Sequence, residues 1–189
     1  MKRSNFILTA LAAIPGTALA GIHADIRLRT DKGFKVKAGE DHFNEHHAMK
    51  IVTSNVLDTK VSSRDTDGDL TILEQTGLTP KGGPPLHIHP FQDEIFYVLE
   101  GEYLFQVGSD RFPMKAGDTI FLPRNVPHAF LQVSDKSRTL VLYQPSGKME
   151  EFFRTTTAYT AQPSQQEMVK LFEEHDMKVV GPPLKADTN

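Results

Sequence analysis

The sequence predicts an all-β protein whose antiparallel strands form a sandwich or barrel. Between residues 86 and 143 lie six segments of four to six residues, rich in Ile, Val, Phe, Leu and Tyr. Turn-forming residues separate them, including Pro90, Gly101 and the 123–127 sequence Pro-Arg-Asn-Val-Pro. The 80–85 sequence Pro-Lys-Gly-Gly-Pro-Pro excludes a helix there, because proline lacks the N–H that a helix interior needs. Many short strands at this spacing are typical of an antiparallel double sheet.

The composition divides the chain into four stretches. Residues 1–20 have the pattern of a signal peptide, 21–49 form an N-terminal arm, 50–147 form the β domain, and 148–189 form a C-terminal helical segment and tail. A chain of 189 residues can bury a substantial core as one domain. The net charge of −3 and the lack of a basic stripe argue against nucleic acid as a partner. Without cysteine there is no disulfide and no thiolate metal ligand.

The first twenty residues predict export. Lys2 and Arg3 precede an apolar run at residues 6–14, and the 18–20 sequence Ala-Leu-Ala has the small residues of a cleavage site. The apolar run is too short to span a bilayer, so we expect no membrane anchor here. We therefore expect the protein from Gly21 onward to be periplasmic or secreted.

Short strands are expected along the middle of the chain, at 70–73, 86–89, 94–99, 103–107, 119–122, 128–133 and 139–143. Two helices are expected after them, over 148–155 and 164–175. Apolar residues recur on one face of each helix: Met149, Phe152 and Phe153 in the first, and Met168, Leu171 and Phe172 in the second. We expect the second stripe to pack against the outside of the sheet. Pro182-Pro183 and the tail after them are expected to be loose.

Three histidines and one glutamate fall where short strands would bring them together. Residues i and i+2 of a strand share a face, so His87 and His89 aim at one point. Pro90 ends this strand, Glu94 opens the next, and His128 opens a later one. Burying these groups unpaired would be costly, and a metal ion would offset that cost. Three imidazoles and a carboxylate suit one divalent transition metal, and Fe, Mn, Ni, Cu, Co and Zn all stay open.

A substrate pocket is predicted beside this cluster from the same parity. Phe96 and Val98 follow Glu94 on one face, and Phe130 and Gln132 follow His128. Such apolar surroundings favour a flat or apolar organic molecule. For Gln132, a hydrogen bond to a backbone group of the barrel is preferred over a contact with substrate.

The histidine segments resemble the two motifs of the cupin superfamily. Residues 82–101 carry a Gly-rich lead, His-X-His, Glu and Gly, and residues 117–132 carry Gly, Pro and His in order. Asn125 and Gln132 stand where the family usually has Gly and Asn. The resemblance extends to quercetin dioxygenase-like bacterial single-domain cupins. It implies a jelly roll of six to eight strands within 50–147, with one metal held inside by His87, His89, Glu94 and His128.

The resemblance also implies a function, which is oxygen-dependent cleavage of a flavonol-type or other enolic substrate. In that reaction the metal would hold a deprotonated substrate hydroxyl next to O₂, and Glu94 would be both ligand and catalytic proton acceptor. Because one fold carries many functions, two alternatives stay open: a non-catalytic small-molecule-binding or sensor protein, and a metal-dependent isomerase. A small molecule is the expected partner in each case, and a homodimer is left open.

Two polar clusters earlier in the chain are less favoured as metal-binding sites. His42, His46 and His47 are expected to be exposed residues of the arm, although His42 and His46 would share a helix face and could bind metal. The 65–69 sequence Asp-Thr-Asp-Gly-Asp is similar to a calcium loop. It lacks an acidic first ligand and flanking helices, so a hairpin turn is the preferred interpretation.

Three further polar residues lie near the predicted ligands. Asp93 has the opposite parity from Glu94, so we expect it to face solvent or a turn rather than to replace Glu94. Arg124 and Asn125 lie at the rim of the predicted barrel. Surface placement is preferred for both over contact with a substrate.

Export gives the first testable prediction. If residues 1–20 are a signal peptide, the mature protein starts near Gly21 and is found outside the cytoplasm. N-terminal sequencing or intact mass of the protein from each cell fraction measures this. A start at Met1 in the cytoplasmic fraction would contradict the prediction.

Overall fold

The computed structural model describes residues 29–49 and 51–185, so the predicted signal peptide lies outside the described residues. The described chain forms two sheets and two short helices. The strands are β1 (His47–Met49), β2 (Asn55–Val61), β3 (Thr71–Gly77), β4 (Pro85–Ile88), β5 (Asp93–Glu100), β6 (Glu102–Val107), β7 (Asp110–Lys115), β8 (Thr119–Leu122), β9 (His128–Gln132), β10 (Ser137–Gln144) and β11 (Lys178–Pro183). The helices α1 (Met149–Thr157) and α2 (Gln165–Glu174) lie between β10 and β11. Neither is long and apolar enough to cross a membrane, and no other helix occurs in the described ranges.

The strand order confirms the predicted antiparallel double sheet. One sheet has the order β1-β2-β3-β10-β5-β8 and the other β11-β4-β9-β6-β7. All pairings are antiparallel. Chain neighbours such as β4 and β5 lie in different sheets, so the chain crosses between the sheets. The two sheets stay separate, so the predicted barrel is not closed, and the strands outnumber the six to eight expected.

Side chains alternate along β5, so one face of this strand points toward the opposite sheet. Glu94 and Phe96 are buried, whereas Tyr97 is exposed. Phe105 and Phe130 reach Phe96 from the opposite sheet, with ring centroids 4.9 and 5.5 Å away. Burying one such ring contributes roughly 1.5–3 kcal/mol relative to leaving it in water. The core therefore lies between the sheets, on the face that carries Glu94.

The turn before β9 uses asparagine where a glycine is usual. Asn125 has φ 64°, and asparagine tolerates this left-handed region better than most residues with a side chain. Its backbone N–H donates to the His89 carbonyl at 2.9 Å, and its side-chain amide donates to the Pro90 carbonyl at 3.3 Å. The turn thus ties the loop before β9 to the loop after β4. Arg124 and Asn125 are both exposed, as predicted.

The 65–69 segment is the connection between two paired strands. β2 and β3 form an antiparallel pair on either side of it. The Thr66 hydroxyl donates to the Leu70 carbonyl at 2.7 Å, and Asp65 accepts from the Ser62 N–H at 2.9 Å. The Asp65 carboxylate therefore caps its own turn, which agrees with the hairpin interpretation.

Four strands, β1, β2, β7 and β11, are absent from the sequence predictions. β7 contains Pro113 and lies at a sheet edge, where most of its side chains are exposed, so it has no alternating pattern to detect. β11 extends through the two prolines that were expected to be loose. That prediction is wrong because Pro183 pairs with Pro85, and Leu184 is buried against Ala129 and Leu131 on the outer face of β9.

The predicted N-terminal arm is partly integrated into the sheet. β1 pairs with β2, and the buried Asp41 carboxylate accepts the Thr59 N–H at 2.5 Å. His47 is buried within β1, so the expectation that all three arm histidines are exposed is wrong. No helix forms between residues 29 and 49, so the predicted shared helix face does not exist. Each histidine instead has its own acidic neighbour: His42 with Asp65, His46 with Asp58 and His47 with Glu45.

Both helices belong to the same core as the sheets. Met149, Phe152 and Phe153 of α1 join it, as do Leu171 and Phe172 of α2. The prediction that the α2 stripe packs against the outside of the sheet is therefore wrong. Helical periodicity shows that one face is buried, but it does not show what covers that face. The core continues across the predicted boundary at residue 148.

The loop before β4 lies directly on the β9 backbone. The Gln132 N–H donates to the Gly82 carbonyl at 3.1 Å, and the Lys81 N–H donates to the Gln132 carbonyl at 2.8 Å. A Cβ atom at Gly83 would lie 1.8 Å from the Phe130 carbonyl oxygen. This position therefore has no room for a side chain.

We predict that Gly83→Ala lowers the free energy of unfolding by about 1–3 kcal/mol, because the loop must move away from β9. Gly33→Ala is the matched control, since no heavy atom of the described residues lies within 4 Å of a Cβ atom placed there. Urea unfolding of the two variants measures both effects. An equally small change in both would show that the loop is not held against β9.

Candidate metal centre

Three segments bring the four predicted ligands together. His87 lies in β4 and is the direct cross-strand partner of His128, the first residue of β9. His89 follows β4, and Glu94 is the second residue of β5. All four are at least 94% buried, with exposed fractions of 6%, 1%, 3% and 2% for His87, His89, Glu94 and His128. One candidate ligand atom from each lies within 4.8 Å of the other three.

The facing atoms of these side chains are close enough to share one ion. His87 Nε2 lies 3.1 Å from His89 Nε2. Glu94 Oε2 lies 3.2 Å from His128 Nε2 and 3.6 Å from His89 Nε2. The cluster therefore presents three ring nitrogens and a carboxylate oxygen to a common point.

Backbone carbonyls set the orientation of two rings. His87 Nδ1 donates to the Pro85 carbonyl at 2.8 Å, and His128 Nδ1 donates to the Val126 carbonyl at 2.9 Å. A neutral ring with this hydrogen bond carries its proton on Nδ1, which leaves a lone pair on Nε2 facing the cluster. The carbonyl in each case belongs to the residue two positions earlier, so the local strand backbone fixes the tautomer. Such outer partners are typical of metal-binding histidines.

The third ring lies beside a buried amide, and its Nδ1 has no hydrogen-bond partner among the described residues. Gln92 is buried beside His89 and interacts with its ring. Gly147 makes room for this amide, because a Cβ atom there would lie 1.9 Å from Gln92 Nε2. Gly147 also has φ 53°, a backbone conformation that favours glycine.

Burial keeps these imidazoles neutral. Desolvation, followed by the neighbouring His128, lowers the pKa of His87 to about 3. Desolvation, followed by His87 and His128, places the pKa of His89 well below its usual value. At neutral pH both rings are therefore uncharged and able to donate a lone pair.

One atom of the cluster tests whether a cation fits. His128 Nε2 is fully buried and has no hydrogen-bond partner among the described residues, although Glu94 Oε2 lies 3.2 Å away. In the neutral tautomer that carries its proton on Nδ1, His128 Nε2 presents a lone pair to Glu94 Oε2, and two such acceptors repel one another. A cation between them removes that repulsion, so the residues fit a bound metal. Three nitrogens and one oxygen suit any of the six candidate metals, and they leave coordination positions for other ligands.

Tyr143 is a site residue that the sequence analysis misses. It is the cross-strand partner of Glu94 on β10, and its buried hydroxyl hydrogen-bonds the Glu94 carboxylate. Burial and then the charge of Glu94 raise the pKa of Tyr143 well above its usual value, so the hydroxyl stays protonated and donates. Parity along β10 places Tyr143 on the inner face with Val141, but only the strand register shows that it meets Glu94.

An apolar cavity adjoins the four side chains. Its volume is about 40 Å³, and the side chains of Phe96, Phe130 and Tyr143 line it from the sheets. The helices complete its wall with Met149, Phe152, Phe153 and Phe172. The Phe172 ring centroid lies 5.4 Å from that of His87. Sequence periodicity identified these helix residues as buried, but it did not place them beside the metal ligands.

Two predicted pocket residues do not line this cavity. Val98 is fully buried within the core, two positions beyond Phe96 along β5. Gln132 lies at the far end of β9, where its amide donates to the Ser134 carbonyl at 2.8 Å. Gln132 therefore has the structural role that the sequence analysis preferred, and neither Val98 nor Gln132 is a lining residue of this cavity.

Asp93 lies outside the cluster despite its position next to Glu94. The Arg124 side chain donates to both Asp93 carboxylate oxygens, at 3.1 and 2.6 Å. Hydrogen bonds from the Arg124 side chain and then its backbone lower the pKa of Asp93. This carboxylate ties the start of β5 to the turn after β8, as its opposite parity predicts.

The middle of the chain matches a known family. Residues 76–143 match the family described as Cupin domain. The chain is 29% identical over 108 residues to quercetin 2,3-dioxygenase of Bacillus subtilis (strain 168), which covers 56% of this chain and 31% of that protein. It is 44% identical over 52 residues to an uncharacterized protein of Methanocaldococcus jannaschii, covering 27% of this chain and 42% of that protein. The chain thus spans less than half the length of both relatives.

Two solved structures match part of the chain at low sequence identity. An RmlC-like cupin from Shewanella frigidimarina NCIMB 400 is 16% identical, with a TM-score of 0.46 over 58% of this chain and 92% of that chain. A predicted oxalate decarboxylase from Thermotoga maritima is 22% identical, with a TM-score of 0.45 over 48% of this chain and 80% of that chain.

We predict that Tyr143→Phe weakens metal binding about 10- to 100-fold, because Glu94 loses the donor that orients it. Tyr103→Phe is the matched control: Tyr103 is equally buried, but its hydroxyl bonds Ser137 at 2.7 Å, away from the four ligands. Chelator competition with Zn²⁺ or Co²⁺ measures the affinity of each variant. Equal affinities in the two variants would contradict a role for Tyr143 in holding Glu94.

Proposed function

We propose that the protein is a metal-dependent oxygenase that acts on a small apolar or aromatic substrate of the enol type. The observation that carries this proposal is the buried cluster of His87, His89, Glu94 and His128 beside an apolar cavity. The partial likeness to quercetin 2,3-dioxygenase supports the oxygenase class. From the 1–20 sequence pattern we further propose that the enzyme acts in the periplasm or outside the cell.

The side chains around the cavity have distinct roles in this proposal. A bound metal would supply Lewis acidity and, if redox-active, electron transfer. Glu94 accepts the proton of the substrate hydroxyl at a carboxylate oxygen, which is general-base chemistry by a buried group. Tyr143 donates to Glu94 and so holds the carboxylate in place. The aromatic rings of Phe96, Phe130 and Phe152 exclude bulk water from the reacting atoms.

The size of the cavity bears on the substrate. A cavity of about 40 Å³ holds only a few water molecules. Pockets for larger organic ligands commonly measure roughly 300–1,000 Å³. The small volume of the cavity therefore favours a small enol or diketone head over a whole flavonol. The same observation favours a second candidate function, a non-catalytic binder or sensor of a small ligand, and a metal-dependent isomerase is the remaining alternative.

Oxygen uptake tests the proposal directly. The protein is loaded separately with each of the six candidate metals and supplied with catechols, flavonols and β-diketones. We expect O₂ consumption with at least one redox-active metal and none with Zn²⁺. Substrates that raise the melting temperature but are never turned over would instead identify a binder.

We predict that Glu94→Gln retains part of the metal but loses about 10²-fold or more of the turnover, because the amide cannot accept a proton. Asp93→Asn is the matched control, since Asp93 is the adjacent carboxylate and bonds Arg124 outside the cluster. Metal content and O₂ uptake are measured on both variants. Full activity in Glu94→Gln would remove Glu94 as the catalytic base.

A further inference from the structure

A larger apolar groove lies outside the metal cavity. Its volume is about 670 Å³, and it runs between α2, β11 and the loop that precedes β4. None of the described residues that line it is charged. Its wall consists of Val52, Gly83, Pro85, Gln162, Pro163, Gln165, Met168, Val169, Val179, Val180, Gly181, Pro182 and Pro183.

The groove and the metal cavity share a thin wall. Val52 lines both spaces. In the loop before β4, Pro84 lines the cavity, whereas its neighbours on either side line the groove. On α2, Phe172 lines the cavity, and Met168, one helical turn earlier, lines the groove. Three separate segments therefore place adjacent residues on the two sides of the same partition.

Val52 has an unusual backbone conformation at this partition. Its φ is 65°, in the left-handed region, which is rare for a β-branched side chain. The turn around it is tight, because the Thr53 N–H donates to the Ile51 carbonyl at 2.6 Å. Strained residues of this kind concentrate at ligand clamps and switch regions. The Val52 side chain is only partly buried, and it packs against the edge of the core.

We propose that the groove binds the apolar tail of an organic ligand whose metal-binding head enters the cavity past Val52. This inference rests on the proposed function, since the head must reach a bound metal. It resolves the mismatch between a small inner cavity and an organic substrate by dividing the ligand between two spaces. The substrate class is an elongated molecule with a small oxygen- or nitrogen-containing head and an uncharged aliphatic or aromatic tail.

Alkyl-substituted imidazoles test this division in the Co²⁺-loaded protein. Imidazole supplies the head, and 1-methyl-, 1-butyl- and 1-hexylimidazole add tails of increasing length. Visible absorption of the cobalt reports binding. Each methylene that enters the groove strengthens binding by up to about fourfold, which is the effect of burying one such group. We expect affinity to rise with chain length, and Val52→Ala to speed the binding of 1-hexylimidazole.

Two charged substitutions locate the tail. Met168→Glu places a carboxylate in the groove and removes the gain with chain length, while imidazole itself binds as before. Phe112→Glu is the matched control, because Phe112 is an exposed apolar residue on β7, at the opposite edge of the same sheet from β11. We expect Phe112→Glu to leave the affinity for every imidazole of the series unchanged.

The outcomes separate this inference from the proposed function. Imidazole binding without any dependence on chain length overturns the groove proposal and leaves an open metal position intact. A gain with chain length that survives Met168→Glu also overturns it, because the tail then lies elsewhere. No binding of imidazole to the loaded metal overturns both the groove proposal and the open coordination position on which the proposed enzyme depends.

Discussion

Three buried imidazoles and one buried carboxylate turn their lone pairs toward a common point, and much of the structure serves to hold them there. Backbone carbonyl oxygens lie 2.8 Å from His87 Nδ1 and 2.9 Å from His128 Nδ1, and these hydrogen bonds hold each ring with Nε2 facing inward. Glu94 Oε2 then faces His128 Nε2 at 3.2 Å, and this nitrogen has no hydrogen-bond partner among the described residues. Such an arrangement is costly in an apolar interior unless a cation is present. The fold therefore provides a preorganised site, and metal binding to it would stabilise the folded protein.

The two-sheet architecture explains how distant residues reach that point. β4 and β9 lie side by side in one sheet, whereas β5 and β10 lie side by side in the other. Ligands come from both sheets, and Tyr143 on β10 supports Glu94 from within its own sheet. The C-terminal helices cover the remaining side with aromatic rings, so they are part of the site. Removing them would expose both the core and the ligands.

The sequence predicts the ligand set because it depends on local rules. A period of two aligns His87 with His89, Pro90 ends one strand, and Glu94 begins the next. The position of Tyr143 depends on the register between β5 and β10, which no local pattern encodes. The sequence also does not predict which side of α2 faces the cavity. Helical periodicity identifies Phe172 as buried, but it does not identify the residues that Phe172 contacts. Edge strands such as β7 and β11 carry prolines and exposed side chains, so their only signal is the neighbouring strand that they pair with.

Anomalous diffraction from crystals grown with one equivalent of Co²⁺ tests the central claim most directly. The account predicts a single strong peak at the cobalt absorption edge, about 2.0–2.3 Å from a nitrogen of His87, His89 and His128 and from a carboxylate oxygen of Glu94. A fully loaded crystal whose only peak lies elsewhere would contradict the account. So would a map without a peak in which the four side chains keep their present orientation.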